Sequence, residues 1–198
     1  MTLAVVDSGV ANLTSVTAAL ERMGVKAEVT SNAQKIRDAP RVILPGVGAA
    51  SAAMAQLKAK NLLDILRALT QPVLGICLGM QIMFDRSEES GGCDCLGVIP
   101  GNIQQLPSKP DMPIPHMGWN QISLSAHAHP LLRGIEEGSF FYFVHSFAAP
   151  VGKSTLASCV YSEPFTAIAA NKNFFGCQFH PERSSAKGRQ ILQNFLDM

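Results

Sequence analysis

Charge of one sign is what this sequence most plainly lacks. Sixteen lysines and arginines stand against fifteen aspartates and glutamates in 198 residues. That balance argues against a broad surface for nucleic acid or an anionic membrane. Long apolar runs are missing as well. No stretch approaches the roughly 20 residues that span a bilayer, and Met1-Thr2-Leu3-Ala4-Val5-Val6-Asp7 has neither the basic start nor the apolar length of a signal peptide. A cytoplasmic location is expected. The five cysteines, at 77, 93, 95, 159 and 177, are an odd number without a secretory signal, which argues against a disulfide framework. Cys93-Asp94-Cys95 is C-x-C, not the redox C-x-x-C, and reads as a pair of loop thiols rather than a metal site. Repeats, linkers and low-complexity tracts are absent too. What remains is a globular composition, 47% hydrophobic and 16% charged, suited to one domain over residues 1–198.

The first hundred residues alternate strand-like and helix-like patterns. Short apolar runs at 3–6, 25–30, 41–44 and 73–77 read as strands. A helix is expected from Leu13 to Met23, capped by Asn12 and stopped at Gly24. Helical periodicity also fills about Ala49 to Leu69 and resumes after Gly79. Strand and helix in alternation imply parallel pairing with right-handed crossovers. From Gly97 the texture changes to short runs at 102–106, 118–124, 140–144, 155–161, 165–170 and 174–179, which read as antiparallel strands added to the parallel sheet. A last helix is expected at about 186–196, and the proline-rich 107–115 segment as a surface loop.

Pro72-Val73-Leu74-Gly75-Ile76-Cys77-Leu78-Gly79-Met80-Gln81 is the most informative segment. An apolar strand runs into a helix through a cysteine with glycines two residues away on each side. This G-x-C-x-G is the thiol counterpart of the G-x-S-x-G turn, where glycines make room for a nucleophile pushed above the sheet edge. A helix start beside the sulfur favours thiolate, and the Leu78 backbone N–H would face an oxyanion formed at Cys77. On this segment alone, an inert core cysteine is an equally good reading.

A base lies downstream in Phe174-Phe175-Gly176-Cys177-Gln178-Phe179-His180-Pro181-Glu182. In an extended strand His180 and Glu182 share a face, and Pro181 favours extended geometry at His180. A carboxylate beside an imidazole fixes its tautomer and stabilises the imidazolium. Cys177, of opposite parity, belongs in the core. The other histidines, 116, 127, 129 and 145, lack a comparably placed carboxylate, and His127 and His129 read as loop residues. The segment Leu44-Pro45-Gly46-Val47-Gly48-Ala49 runs from a strand through two glycines into a helix, so the Val47 loop can offer a second backbone donor. Taken alone it is more simply an ordinary turn. It gains weight at a strand end of the same sheet as Cys77.

Together these residues resemble the class I (triad-type) glutamine amidotransferases. Gly75-Ile76-Cys77-Leu78-Gly79-Met80-Gln81 and His180-Pro181-Glu182 match that family's nucleophile and base segments in order and separation. Pro45-Gly46-Val47-Gly48, Pro115-His116-Met117-Gly118-Trp119-Asn120 and Tyr142-Phe143-Val144-His145-Ser146-Phe147 are similar to the branch that serves imidazole glycerol phosphate synthesis. Ser8, Ala11 and Phe147 depart from its usual pattern.

The resemblance implies a three-layer α/β fold, flavodoxin-like, with a mostly parallel central sheet flanked by helices and an added antiparallel sheet. It implies a glutaminase in which Cys77 attacks glutamine, His180 is the acid and base, and Glu182 orients it. Val47 and Leu78 would donate oxyanion N–H groups, and Gly48, Gln81, Ser146 and Phe147 would hold the substrate. It implies no cofactor and no metal. The partner implied is a (β/α)8 cyclase subunit, HisF, meeting Trp119 and Asn120 and receiving ammonia in histidine biosynthesis. Three rivals remain at this point: a subunit for another acceptor, a thiol-based stress protein of similar fold, and a non-catalytic binding subunit.

Overall fold

The computed structural model describes residues 2–9, 12–125 and 128–198. Val10, Ala11 and His127 lie outside the described residues. In chain order the first half holds strands β1 (Leu3–Val6), β2 (Ala27–Thr30), β3 (Val42–Gly46) and β4 (Val73–Cys77), with helices α1 (Leu13–Arg22), α2 (Ala33–Asp38), α3 (Ala50–Ala59), α4 (Leu63–Arg67) and α5 (Leu78–Gln81). Then come β5 (Arg86–Ser87), β6 (Cys93–Asp94), β7 (Asn102–Gln105), β8 (His116–Leu124), β9 (Phe140–His145), β10 (Phe147–Ala148), β11 (Thr155–Tyr161), β12 (Glu163–Asn171) and β13 (Phe174–Cys177). The last helix, α6, spans Ser185–Leu196.

Strands β2-β1-β3-β4-β13 pair in parallel, and the same sheet continues antiparallel through β12-β11-β8-β9. A separate small sheet runs β10-β7-β5-β6. The period-two alternation of β1 shows why the large sheet takes helices on both faces. Leu3 and Val5 enter one buried cluster, with Leu20 of α1 and Ile191 and Phe195 of α6, whereas Ala4 and Val6 enter the other, with Leu57 of α3 and Leu66 of α4. The expected mixed, three-layer architecture is found. Asn12 caps α1 through a 3.3 Å bond from Ser15 N–H, and Gly24 follows the helix at φ 74°.

Four local expectations are corrected. The single helix over 49–69 is two, because Asn61 adopts φ 54° and breaks the helical ladder between α3 and α4. The 174–179 run is not simply antiparallel. The hairpin from β12 returns β13 alongside β4 in the same direction, with Phe174 beside Val73 and Cys177 beside Ile76. Helical structure after Gly79 is confined to the four residues of α5. The C-x-C pair is not a free loop: Cys93 lies on β6 and Cys95 is buried, its thiol pushed up to about 12 first by that burial. Among the described residues, no helix is long and apolar enough to cross a membrane.

Candidate active site

The turn from β4 into α5 places Cys77 at φ 53° and ψ −113°, a conformation that residues with a Cβ adopt only where the surroundings enforce it. The enforcement is steric. A Cβ on Gly79 would stand 1.7 Å from the Leu44 carbonyl oxygen, and one on Gly75 would stand 2.6 Å from the Met80 nitrogen. Only glycines let α5 settle against β3 and β4 closely enough to turn the chain at Cys77. The sulfur lies 3.7 Å from the Val144 carbonyl oxygen and receives the Gln178 side-chain N–H at 3.9 Å. Leu78 opens α5, where a first-turn N–H has no partner within the helix.

His180 meets this turn from the end of β13. Its own N–H donates to the Tyr142 carbonyl at 2.9 Å, and its carbonyl accepts Ser184 Oγ–H at 2.7 Å. Ser184 Oγ in turn accepts the Tyr142 N–H at 2.9 Å, so β9 grips the base segment twice. His180 Nδ1 and Glu182 Oε1 are 2.8 Å apart, with the Glu182 side chain 2% exposed. The sequence argument for this pair needs a correction. β13 ends at Cys177, and a short 3-10 turn over Pro181–Arg183 folds Glu182 back under the ring, so strand parity is not what joins them. His180 itself is extended, at φ −98° and ψ 97°. Burial pushes its pKa down, but hydrogen bonds to Cys77 and Glu182 and their negative charge outweigh this and raise it to about 10. The imidazolium is the favoured form between them. Cys177, by contrast, is fully buried and donates towards the Gly75 carbonyl, and burial pushes its thiol well above the usual range.

Cys77 and His180 open onto one cavity of about 290 Å³. Val47, Gly48, Leu78, Gln81, Ser146 and Phe147 line the same space, so the sequence-predicted residues of the turn, the loop and the 146–147 stretch come together. Gln81 Nε2 donates to the Phe147 carbonyl at 2.8 Å. Trp119 and Asn120 do not line that cavity. Both are on β8, where Trp119 is 52% exposed and packs edge-on against Tyr142, and alternation turns Asn120 to the other face, against His116 and the Val160 carbonyl. His129 accepts the Leu131 N–H and opens a 3-10 turn rather than joining the site.

Four further residues line the cavity: Glu89, Pro115, Val144 and His145. Glu89 Oε2 accepts the Ala50 N–H at 2.7 Å, capping α3 from 39 residues away and tying down the end of the Val47 loop. No local pattern could have found it. His145 does carry a signal, the apolar alternation of Phe141, Phe143 and His145, which points an imidazole into the core.

Both the sequence and the fold are shared with known proteins. Residues 4–198 match the family model for class I glutamine amidotransferases. The chain is 53% identical to the imidazole glycerol phosphate synthase subunit HisH of Shewanella loihica, over 98% of this chain and 89% of that one. It is 50% identical to the HisH subunit of Salmonella typhimurium and 49% identical to that of Escherichia coli K12, in both cases over the whole of each chain. The fold is shared with a crystal structure of a glutamine amidotransferase at 14% identity, TM-score 0.75, covering 100% of this chain and 98% of that one. It is shared too with a chain of PurLQS from Thermotoga maritima at 20% identity, TM-score 0.73, covering 99% and 97%. The chain belongs to the class I glutamine amidotransferase family, among the HisH subunits of imidazole glycerol phosphate synthase.

Proposed function

We propose that residues 1–198 form one glutaminase domain in which Cys77, His180 and Glu182 release ammonia from glutamine. The observation that carries this reading is the His180 imidazole, set between the Cys77 sulfur and the Glu182 carboxylate at the mouth of a cavity. The sulfur attacks the side-chain carbonyl carbon of glutamine. The oxyanion is received by the N–H groups of Leu78 and Val47. His180 gives its proton to the amide nitrogen, the C–N bond breaks, and ammonia leaves a glutamyl thioester on Cys77. Neutral His180 then takes a proton from water, hydroxide hydrolyses the thioester, and glutamate departs with sulfur and imidazolium restored. Glu182 holds the ring tautomer throughout. Gln81, Gly48, Ser146 and Phe147 hold the substrate.

The chain works in the cytoplasm as a heterodimer with HisF, a (β/α)8 cyclase that consumes the ammonia in forming imidazole glycerol phosphate. The exposed side chains of Met117, Trp119 and Phe140 support a docking face on β8 and β9. A glutaminase assay with and without the cyclase and a substrate analogue tests the reading. Glutamine hydrolysis is expected to be weak alone and strong in the complex. Full activity from the isolated chain would contradict the partner dependence, and no hydrolysis in either state would contradict the glutaminase itself.

A further inference from the structure

The hydrogen bonds around the cavity form one chain whose direction is fixed at every link. Phe147 O is a carbonyl and can only accept. His145 Nδ1, 2.9 Å away, must therefore carry a proton. Burial pushes the pKa of His145 down to about 3 and that of His116 to about 4, so both rings are neutral and each has a single N–H. His145 Nε2 is then an acceptor, and the donor facing it at 3.0 Å is His116 Nδ1–H. This leaves His116 Nε2 as the acceptor for the Asn120 amide at 3.3 Å.

The same logic runs on from Phe147 to the nucleophile. The carbonyl also accepts Gln81 Nε2–H, and the second hydrogen on that nitrogen goes to Gln178 Oε1 at 3.0 Å. Gln178 must therefore turn its own Nε2–H to the Cys77 sulfur. The register explains the contact: Cys177 lies beside Ile76, which sets Gln178 level with Cys77 on the neighbouring strand. Gln178 is fully buried, and its backbone N–H is held by the Ala167 carbonyl at 2.9 Å. Its side chain thus fixes two groups, the sulfur and the Gln81 amide, whose remaining oxygen is left to the cavity.

We propose that Gln178 is a positioning residue for Cys77 and Gln81, and that His145 and His116 tie its setting to Asn120 on β8, on the face of the strand opposite Trp119. A partner seated on Trp119 that shifts β8 then reaches the sulfur's donor through this one chain. The inference rests on the glutaminase reading above and adds to it the route by which the docking face reaches the nucleophile.

Two variants of the full chain test it, each measured alone and with the cyclase partner. Gln178→Met keeps the volume and removes both hydrogen bonds. It is expected to lower kcat at least tenfold and to change the rate of Cys77 alkylation by iodoacetamide at least fivefold. His116→Phe keeps the ring stacked on Tyr161 and Phe143 but cuts the relay far from the sulfur. Its isolated-chain activity is expected within twofold of wild type, with stimulation by the partner reduced at least tenfold at unchanged complex Kd. His116→Asn, which keeps a donor near the Nδ1 position, should return at least half of that stimulation; failure to do so counts against a relay. Should Gln178→Met fail to fold, the His116 pair decides alone. A wild-type complex that hydrolyses no glutamine refutes the glutaminase reading. A wild-type complex that does, with both variants indistinguishable from it, refutes this inference only.

Discussion

At the scale of single residues, His180 carries the most consequence. Its pKa of about 10 arises because hydrogen bonds to Cys77 and Glu182, with the charge interactions beside them, outweigh burial. Glu182→Gln removes the carboxylate charge and lets the ring take either tautomer. It is expected to lower kcat by about 10²- to 10⁴-fold, with an NMR titration showing the His180 pKa reduced from about 10. An unchanged kcat would show that Glu182 does not orient the base. The sign of the pH effect follows from the same shift. In the proposed mechanism His180 supplies the proton for departing ammonia, so the step that needs the imidazolium should slow as pH rises through about 10. Cys77, His180 and Glu182 were legible in the sequence because each sits in a short segment with its own turn signature. Gln178 and His116 were not, and for His145 the alternation of β9 signalled burial but not its partners. Their partners are set by the registers of β13 on β4 and of β8 on β9, and no local pattern encodes a register.

At the scale of elements, the β4–α5 turn is the least forgiving feature. A methyl group on Gly79 would collide with the backbone oxygen of Leu44, which cannot rotate away. Gly79→Ala is therefore expected to force α5 off β3 and to abolish activity along with a loss of stability above about 2 kcal/mol. Urea unfolding beside the glutamine assay checks both. The cap on α3 is gentler: Ala49 at the N-cap position offers no side-chain hydrogen bond, and Glu89 supplies one from the small sheet's connection. Glu89→Ala should cost about 1 kcal/mol and raise the KM for glutamine by loosening the Val47 loop. Apolar periodicity revealed the long parallel strands, α1 and α6, since each buries a regular stripe. In the small sheet it found β7 but missed β5, β6 and β10, two-residue strands too short to show a period, and it fused α3 with α4 because Asn61 interrupts the ladder without interrupting the apolar pattern.

At the scale of the molecule, one sheet separates two cores and carries the cavity at the ends of its parallel strands. The neutral His116 and His145 lie within this framework, and their effect on stability has a definite sign. Their folded pKa values, about 4 and about 3, lie below the ordinary imidazole value of 6.5. The unfolded chain therefore binds more protons than the folded one below pH 6.5. Stability present above that pH is lost as pH falls towards 4 and 3. The urea midpoint should drop between pH 7 and pH 5, and less steeply in His116→Phe. A midpoint independent of pH, or the same slope in the variant, would show that these rings are not buried neutral.

The central claim is that Cys77 is the nucleophile. It is tested most directly by quenching the complex during turnover of glutamine and locating the acyl group by mass spectrometry. A glutamyl adduct on the peptide containing Cys77 is expected, with no adduct and no hydrolysis in Cys77→Ala, while synthesis from free ammonium persists. An acyl group on another residue, or hydrolysis by Cys77→Ala at the wild-type rate, would contradict it.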